Sequence, residues 1–168
     1  SPPVSAGDQE ECASSPLQSL TASASVADGL EIVWYTASTE GTVVADPSLT
    51  TIGTITYYAE AVLTESGCAS PTRTAVTLTL NPNPDAPTSG GDQEACIESP
   101  VQNLTATATP GAGETITWYT AANGGNVVAN PTLNAVGTIT YYAAAVNATT
   151  GCESATRTAV TLTLNPLP

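Results

Sequence analysis

Four cysteines are the residues of this chain best equipped for chemistry, and they recur: Cys12 and Cys68 reappear as Cys96 and Cys152, each 84 positions further on. Two cysteines per stretch, with no histidine anywhere, are too few to fill a zinc coordination sphere. No Lys or His stands beside them to lower a thiol pKa and make a reactive group. Structural cystines are the chemistry that remains. Because the pair falls at the same places in both stretches, the expected bridges lie within each stretch, Cys12–Cys68 and Cys96–Cys152. A bridge closing so long a loop contributes about 4 kcal/mol by restricting the unfolded chain. Such bridges imply an oxidising compartment, secreted or at the cell surface.

The missing residue types exclude most catalysis. Without His there is no Ser-His-Asp or Cys-His arrangement, and without Lys no Ser-Lys variant. Paired carboxylates stay open to an enzyme using one stretch alone. Yet acids differ between the stretches at telling places: Glu31 becomes Thr115, Glu40 becomes Gly124 and Glu60 becomes Ala144. The chain is therefore expected not to be an enzyme, and no catalytic residue or cofactor is assigned. Asp8 and Glu10 do recur, as Asp92 and Glu94. They are candidate cation-binding residues near a domain junction, where Ca²⁺ could stiffen successive modules. No dense Asp-x-Asp pattern accompanies them, and solvated loop acids are the plainer role. Arg73 and Arg157, one per stretch, are expected to pair with a local carboxylate or a tyrosine ring rather than with a ligand. Tyr35, Tyr58, Tyr119 and Tyr142 are candidate stacking surfaces for a sugar, against the commoner role of covering a sheet.

Positioning these residues is the task of a duplicated unit. Residues 1–84 and 85–168 align at a constant offset of 84 without a gap, and about three-fifths of the positions are identical. A fixed period marks an array of similar domains, here two, 1–84 and 85–168, each small for a single core. The net charge of −13, from 15 acids against 2 arginines, excludes a nucleic-acid footprint and disfavours an anionic membrane. No run approaches the 18 apolar residues of a spanning helix, so direct membrane insertion is not expected.

Thr, Val, Ile and Tyr alternate in short runs broken by Gly, Pro and Asn, the pattern of an all-β chain. In the first unit the expected strands cover residues 18–24, 31–36, 43–44, 47–52, 54–63 and 72–80. The segment before Cys12 is taken as a Pro-rich lead-in, with Cys12 just ahead of the first long strand. About seven short strands argue for an antiparallel sandwich. Trp34 and Tyr57, with Trp118 and Tyr141, have the spacing of the core tryptophan and corner tyrosine of an immunoglobulin sandwich. Ala22 and Ala59 (Ala106 and Ala143) stand where that fold's inter-sheet cysteines would be, so the usual core cystine is absent. The Asn-Pro-rich connection after residue 80 predicts an extended, semi-rigid linker. The same Asn-Pro motif at 165–166 suggests a segment of a longer array, with export signals and anchors elsewhere. A module plus linker is expected to advance a linear, rod-like array by roughly 35–45 Å.

The run Val33-Trp34-Tyr35-Thr36-Ala37, Gly41, Tyr57-Tyr58-Ala59, Gly67-Cys68 and Arg73-Thr74-Ala75-Val76-Thr77-Leu78 resembles the tandem Ig-like repeats of very large secreted proteins of Bacteroidetes. Their Gly-Gly turn is present as Gly124-Gly125; the first unit departs from it with Glu40-Gly41. The resemblance covers each repeat and implies a secreted surface adhesin of the gliding-adhesin kind, exported by the type IX system. The expected function is a structural stalk or spacer, with neighbouring repeats of the same chain as partners. The alternatives are a carbohydrate-binding array beside a surface enzyme, with surface glycans as partners, and a filament formed by lateral self-association.

Overall fold

The computed structural model describes residues 1–168 and contains two compact units, Ser1–Pro82 and Asn83–Pro168. The division falls two residues ahead of the 84/85 boundary set by the repeat. Unit 1 has nine strands: β1 (Val4–Ser5), β2 (Gln9–Cys12), β3 (Leu20–Thr21), β4 (Ala24–Ser25), β5 (Leu30–Tyr35), β6 (Val43–Val44), β7 (Ser48–Leu49), β8 (Gly53–Leu63) and β9 (Thr74–Asn81). Unit 2 repeats all nine at the same offset, from β10 (Thr88–Ser89) and β11 (Gln93–Cys96) through β14 (Glu114–Tyr119) to β17 (Gly137–Asn147) and β18 (Thr158–Asn165). Each unit is an immunoglobulin-like sandwich.

One layer of unit 1 is a five-stranded sheet in the order β2-β9-β8-β5-β6. The other is broken into two-residue pairs, β1 with β4 and β3 with β7. Both long strands of the large sheet follow from alternation. In β9, Val76, Leu78 and Leu80 are 0–1% exposed and face inward, while Thr77 and Thr79 face outward. There Thr56 meets Thr77 at 3.0 Å and Thr54 meets Thr79 at 3.1 Å, hydroxyl to hydroxyl. Such cross-strand pairs fix the register, since a one-residue slip would turn the buried row to solvent.

The inner face of β9 packs with Leu20, Ala22, Leu49 and Tyr57, and Trp34, Val44 and Ile55 lean against this cluster. Unit 2 has Ala106, Tyr141, Val160 and Leu162, with Trp118 against them. Fully burying a Val or Leu stabilises by about 1.5–3 kcal/mol, so the last strand of each unit supplies much of a thin core. The corner tyrosines are buried as the spacing requires: the Tyr57 hydroxyl donates to the Ser48 carbonyl at 2.7 Å and the Tyr141 hydroxyl to the Thr132 carbonyl at 2.8 Å. Trp34 lies directly opposite Ala59, and Trp118 opposite Ala143.

The lead-in is where the structure departs from expectation. Residues 9–12 form β2, an edge strand running parallel to β9 with Gln9 opposite Leu78 and Cys12 opposite Asn81. Cys12 therefore sits at the end of the sheet where β9 finishes. Cys68 sits at the other end, in the turn between β8 and β9, where its carbonyl accepts from Leu63 N–H at 2.9 Å. The length of β8 separates them, roughly 30 Å at 3.3 Å per residue, whereas a cystine needs Cα atoms less than about 7 Å apart. Unit 2 has the same layout, with Cys96 opposite Asn165 and the Cys152 carbonyl on Asn147 N–H. The pairings Cys12–Cys68 and Cys96–Cys152 are accordingly not made. Cys68 and Cys96 are free and exposed, while Cys12 and Cys152 are disulfide-bonded.

Candidate functional site

The outer face of each five-stranded sheet gathers the polar and aromatic residues that the sequence singles out. Alternation sets their direction: with Trp34 and Ala59 turned inward, Tyr35, Tyr58 and Glu60 point outward. Tyr35 lies opposite Tyr58, and Tyr119 opposite Tyr142. All four tyrosines are half-buried.

Arg73 leaves the chain just before β9 and lies flat on Tyr35, its guanidinium carbon 3.3 Å from the ring centroid. Nε donates to Glu60 Oε1 at 3.2 Å. Nη1 donates to the carbonyls of Ala37 and Glu40 at 2.8 and 2.6 Å. One side chain thereby ties together β5, β8, β9 and the turn between β5 and β6. Arg157 does the same in unit 2, 3.3 Å above Tyr119, with Nη1 donating to the carbonyls of Ala121 and Gly124 at 2.9 and 2.7 Å. Its carboxylate partner is Glu153, at 3.4 Å from Nη2. Glu153 also accepts from the Tyr119 hydroxyl at 2.7 Å.

The turn held by this clasp needs left-handed backbone. Glu40 has φ +55° and Gly41 φ +73°; Gly124 and Gly125 occupy the same places at +63° and +74°. A Cβ on Gly41 would come within 2.9 Å of the Ala37 backbone nitrogen, so there glycine is required by contact as well as by φ.

Electrostatics within the clasp favour a protonated tyrosine. The Glu60 carboxylate facing the Tyr35 hydroxyl raises its pKa above 10.0, partial burial adds to this, and the Arg73 charge opposes it. The Tyr119 hydroxyl is raised in the same way, first by its hydrogen bond to Glu153, then by burial, against Arg157.

The structure thus brings Tyr35, Glu60 and Arg73 together, and Tyr119, Glu153 and Arg157. In both units the arginine covers one face of the tyrosine, Tyr35 or Tyr119, while no arginine lies over Tyr58 or Tyr142. The four candidate cation-binding acids are placed differently. Asp8 Oδ1 accepts from Thr77 N–H and Asp92 Oδ1 from Thr161 N–H, both at 2.8 Å. Glu10 accepts from the Asn81 amide at 2.8 Å and Glu94 from the Asn165 amide at 2.7 Å. These bonds fasten the edge strands β2 and β11 to the strands beside them. No group of three or more His, Cys, Asp or Glu side chains is gathered anywhere.

Sequence reasoning paired each arginine with a local carboxylate or a tyrosine ring, and both partners are present. It missed the two backbone carbonyls of the turn and the identity of each acid. A signal was available: around the shared arginine, unit 1 has Glu60 and Ala69, while unit 2 has Ala144 and Glu153. Each unit keeps one acid at one of two adjacent places.

Several solved structures are similar to the chain at low sequence identity. The fibronectin(III)-like modules of Clostridium thermocellum CbhA match at 19% identity and TM-score 0.44, over 96% of this chain and 90% of that one. Immunoglobulin domains 1–5 of Sidekick-1 match at 14% identity and TM-score 0.42, over 97% of this chain and 39% of that one. The four N-terminal Ig domains of Dscam1 isoform 9.44 match at 14% identity and TM-score 0.36, over 98% and 51%. No curated protein sequence matches significantly. The model of the Ig-like domain described as CHU_C associated matches twice, over residues 1–82 and 84–166. That family is tied to surface and gliding proteins of Bacteroidetes and is an extracellular, structural kind of domain. With both of its units matched along nearly their whole length, the chain belongs to the CHU_C-associated Ig-like domain family.

Proposed function

We propose that the chain is a stalk or spacer segment of a large secreted cell-surface adhesin, supplying reach and stiffness rather than a binding site. The observation that carries this reading is the recurrence of all nine strands at an 84-residue offset, with an arginine stacked on a tyrosine at the same place in each unit. The shared arginines and the shared acids Asp8, Glu10, Asp92 and Glu94 are engaged inside their own unit, and Glu31 and Glu40, which have no counterpart acid in unit 2, are exposed. Repetition of scaffold without repetition of an open site suits length and spacing. The proline-rich connection over residues 81–87 supports stiffness, since repeated prolines favour extended backbone.

Small-angle scattering in solution tests this. A compact globule of this length has a radius of gyration of about 15 Å. Two modules in line, each advancing roughly 40 Å, are expected to exceed 20 Å. A value near that of the compact globule would overturn the spacer reading.

A further inference from the structure

The turn between β14 and β15 (Val127–Val128) holds a reactive pair that the clasp does not use. Asn123 precedes Gly124 there, the one Asn-Gly step in the chain. Both residues are exposed. The Asn123 side-chain amide makes no hydrogen bond, and the Gly124 N–H makes none either. Gly124 stands at φ +63°, and a Cβ placed on it would meet nothing within 4 Å. The nitrogen that follows Asn123 is thus open on all sides and carries no side chain to hinder it. The other asparagines lack this combination. Asn81, Asn83, Asn130 and Asn165 precede proline, whose nitrogen has no proton to lose. Asn147 is held by its Oδ1, which accepts from Thr149 and Thr150 N–H at 2.9 and 3.0 Å. Asn103, Asn126 and Asn134 are followed by Leu, Val and Ala, each with a Cβ beside the nitrogen. Unit 1 has Thr39-Glu40 at the corresponding place.

We propose that Asn123 is a modification site, deamidating spontaneously to isoaspartate and thereby loosening the arginine clasp of unit 2 alone. Hydroxide removes the Gly124 N–H proton, and the nitrogen attacks Asn123 Cγ. The N–Cγ bond forms, the Cγ–Nδ2 bond breaks, and Nδ2 leaves as ammonia with a proton taken from water, which regenerates hydroxide. The attack is intramolecular and needs no second reactant held in place. Water then opens the five-membered succinimide, and the proton it sheds passes to the ammonia. Opening at Cγ gives aspartate. Opening at the main-chain carbonyl gives isoaspartate, with the chain rerouted through Cγ. Either product adds one negative charge to the −13, and isoaspartate also lengthens the main chain by one carbon ahead of Gly124. That carbon falls between the two carbonyls, of Ala121 and Gly124, that Arg157 Nη1 holds at 2.9 and 2.7 Å. It falls equally inside the turn closed by Thr120 N–H on the Asn126 carbonyl and Asn126 N–H on Thr120 Oγ1, each at 3.0 Å. The longer chain cannot keep all four bonds. This chemistry stands apart from the spacer reading, since it depends on one turn of unit 2 and not on the shape of the chain.

The test is ageing of the intact protein in mildly alkaline buffer. Peptide mapping by mass spectrometry, with enzymatic methylation of isoaspartyl carboxylates, reads the product, and amide hydrogen exchange reads the turn. The expected result is replacement of NH₂ by OH at residue 123 ahead of every other asparagine, mostly as isoaspartate. In the aged chains, exchange should speed up at Thr120, at Asn126 and over β15, while the β5–β6 turn of unit 1 stays as it was. Asn123→Thr and Gly124→Glu install the residues found at 39 and 40, and each should stop the reaction at this place. The turn accepts the second change, since Glu40 holds the same left-handed backbone at φ +55°. Asn123 remaining intact while Asn103 or Asn126 reacts would overturn the proposal, as would its failure to react at all. So would Gly124→Glu reacting as fast as the parent chain, or isoaspartate at 123 with unchanged exchange at Thr120 and Asn126.

Discussion

Unit 1 and unit 2 build the same clasp with acids from different places in the chain. Arg73 takes Glu60 from the middle of β8, whereas Arg157 takes Glu153 from the turn ahead of β18. The stacked tyrosine and the two turn carbonyls are common to both. What has been held constant is the arginine's grip on the sheet and the turn, and the acid needs only to be near. A ligand-binding carboxylate would have to keep its position relative to the ligand, whereas a charge-balancing one does not. The difference marks the constellation as part of the scaffold.

Breaking the grip should hurt unit 1 more than unit 2. In unit 1 both partners are largely buried, Arg73 at 11% and Glu60 at 14% side-chain exposure; Glu153 is at 35% and better hydrated. Arg73→Ala removes the ring contact and strands Glu60, for an expected loss of about 3 kcal/mol in unit 1. Arg157→Ala should cost roughly half as much, because an exposed carboxylate loses less when unpaired. Amide hydrogen exchange on the intact chain, read separately over β8 and β17, gives the two values. Equal losses would remove burial of the acid as the distinction.

Alkali should loosen both clasps. Tyr35 and Tyr119 hold their protons above the ordinary pKa of 10.0, whereas the unfolded chain loses them near it. In that window the native state binds more protons than the unfolded one, so stability falls as pH rises. It is present in full below pH 10.0 and is lost as pH climbs from there through the raised native values. Denaturant midpoints measured alongside tyrosinate absorbance will show this, and Tyr119→Phe should abolish the share belonging to unit 2.

The smallest effect concerns the turn. Glu40 holds a left-handed φ of +55° where unit 2 has Gly124, a conformation costing an L-residue about 1 kcal/mol. Glu40→Gly should relieve it, offset in part by the greater freedom of glycine in the unfolded chain. A net gain of about 0.5 kcal/mol in unit 1 would bring the two turns level.

Much of this was legible in the sequence because alternation and spacing are local. The period-two rows of β5, β8 and β9 set the inner and outer faces, and Trp34, Tyr57 and Ala59 fall where a sandwich core requires them. Interruptions were harder to see. Residues 18–24 read as one strand but form β3 and β4 with Ala22 between them, its N–H bonded to the Pro47 carbonyl. Residues 47–52 keep only Ser48–Leu49 as strand. The costliest miss was β2. Gln9-Glu10-Glu11-Cys12 has no apolar row to announce a strand, and its pairing is parallel to a segment some 70 residues away. With β2 taken as lead-in, Cys12 and Cys68 could be imagined close together; as a strand parallel to β9 it carries them to opposite ends. The clasp was half visible, because a lone arginine among many acids needs a partner. Which acid serves depends on how β8 and its turn fold back over the arginine.

Transplanting the acid tests the scaffold account most directly. Glu60→Ala gives unit 1 the residue found at 144, and Ala69→Glu adds the residue found at 153. The single Glu60→Ala change is expected to destabilise unit 1 by about 1–2 kcal/mol, read by hydrogen exchange over β8. The double change should recover most of that loss and leave unit 2 untouched. If Ala69→Glu restores nothing, the two acids are not interchangeable, and the claim that the clasp is shared scaffold rather than a position-specific site is contradicted.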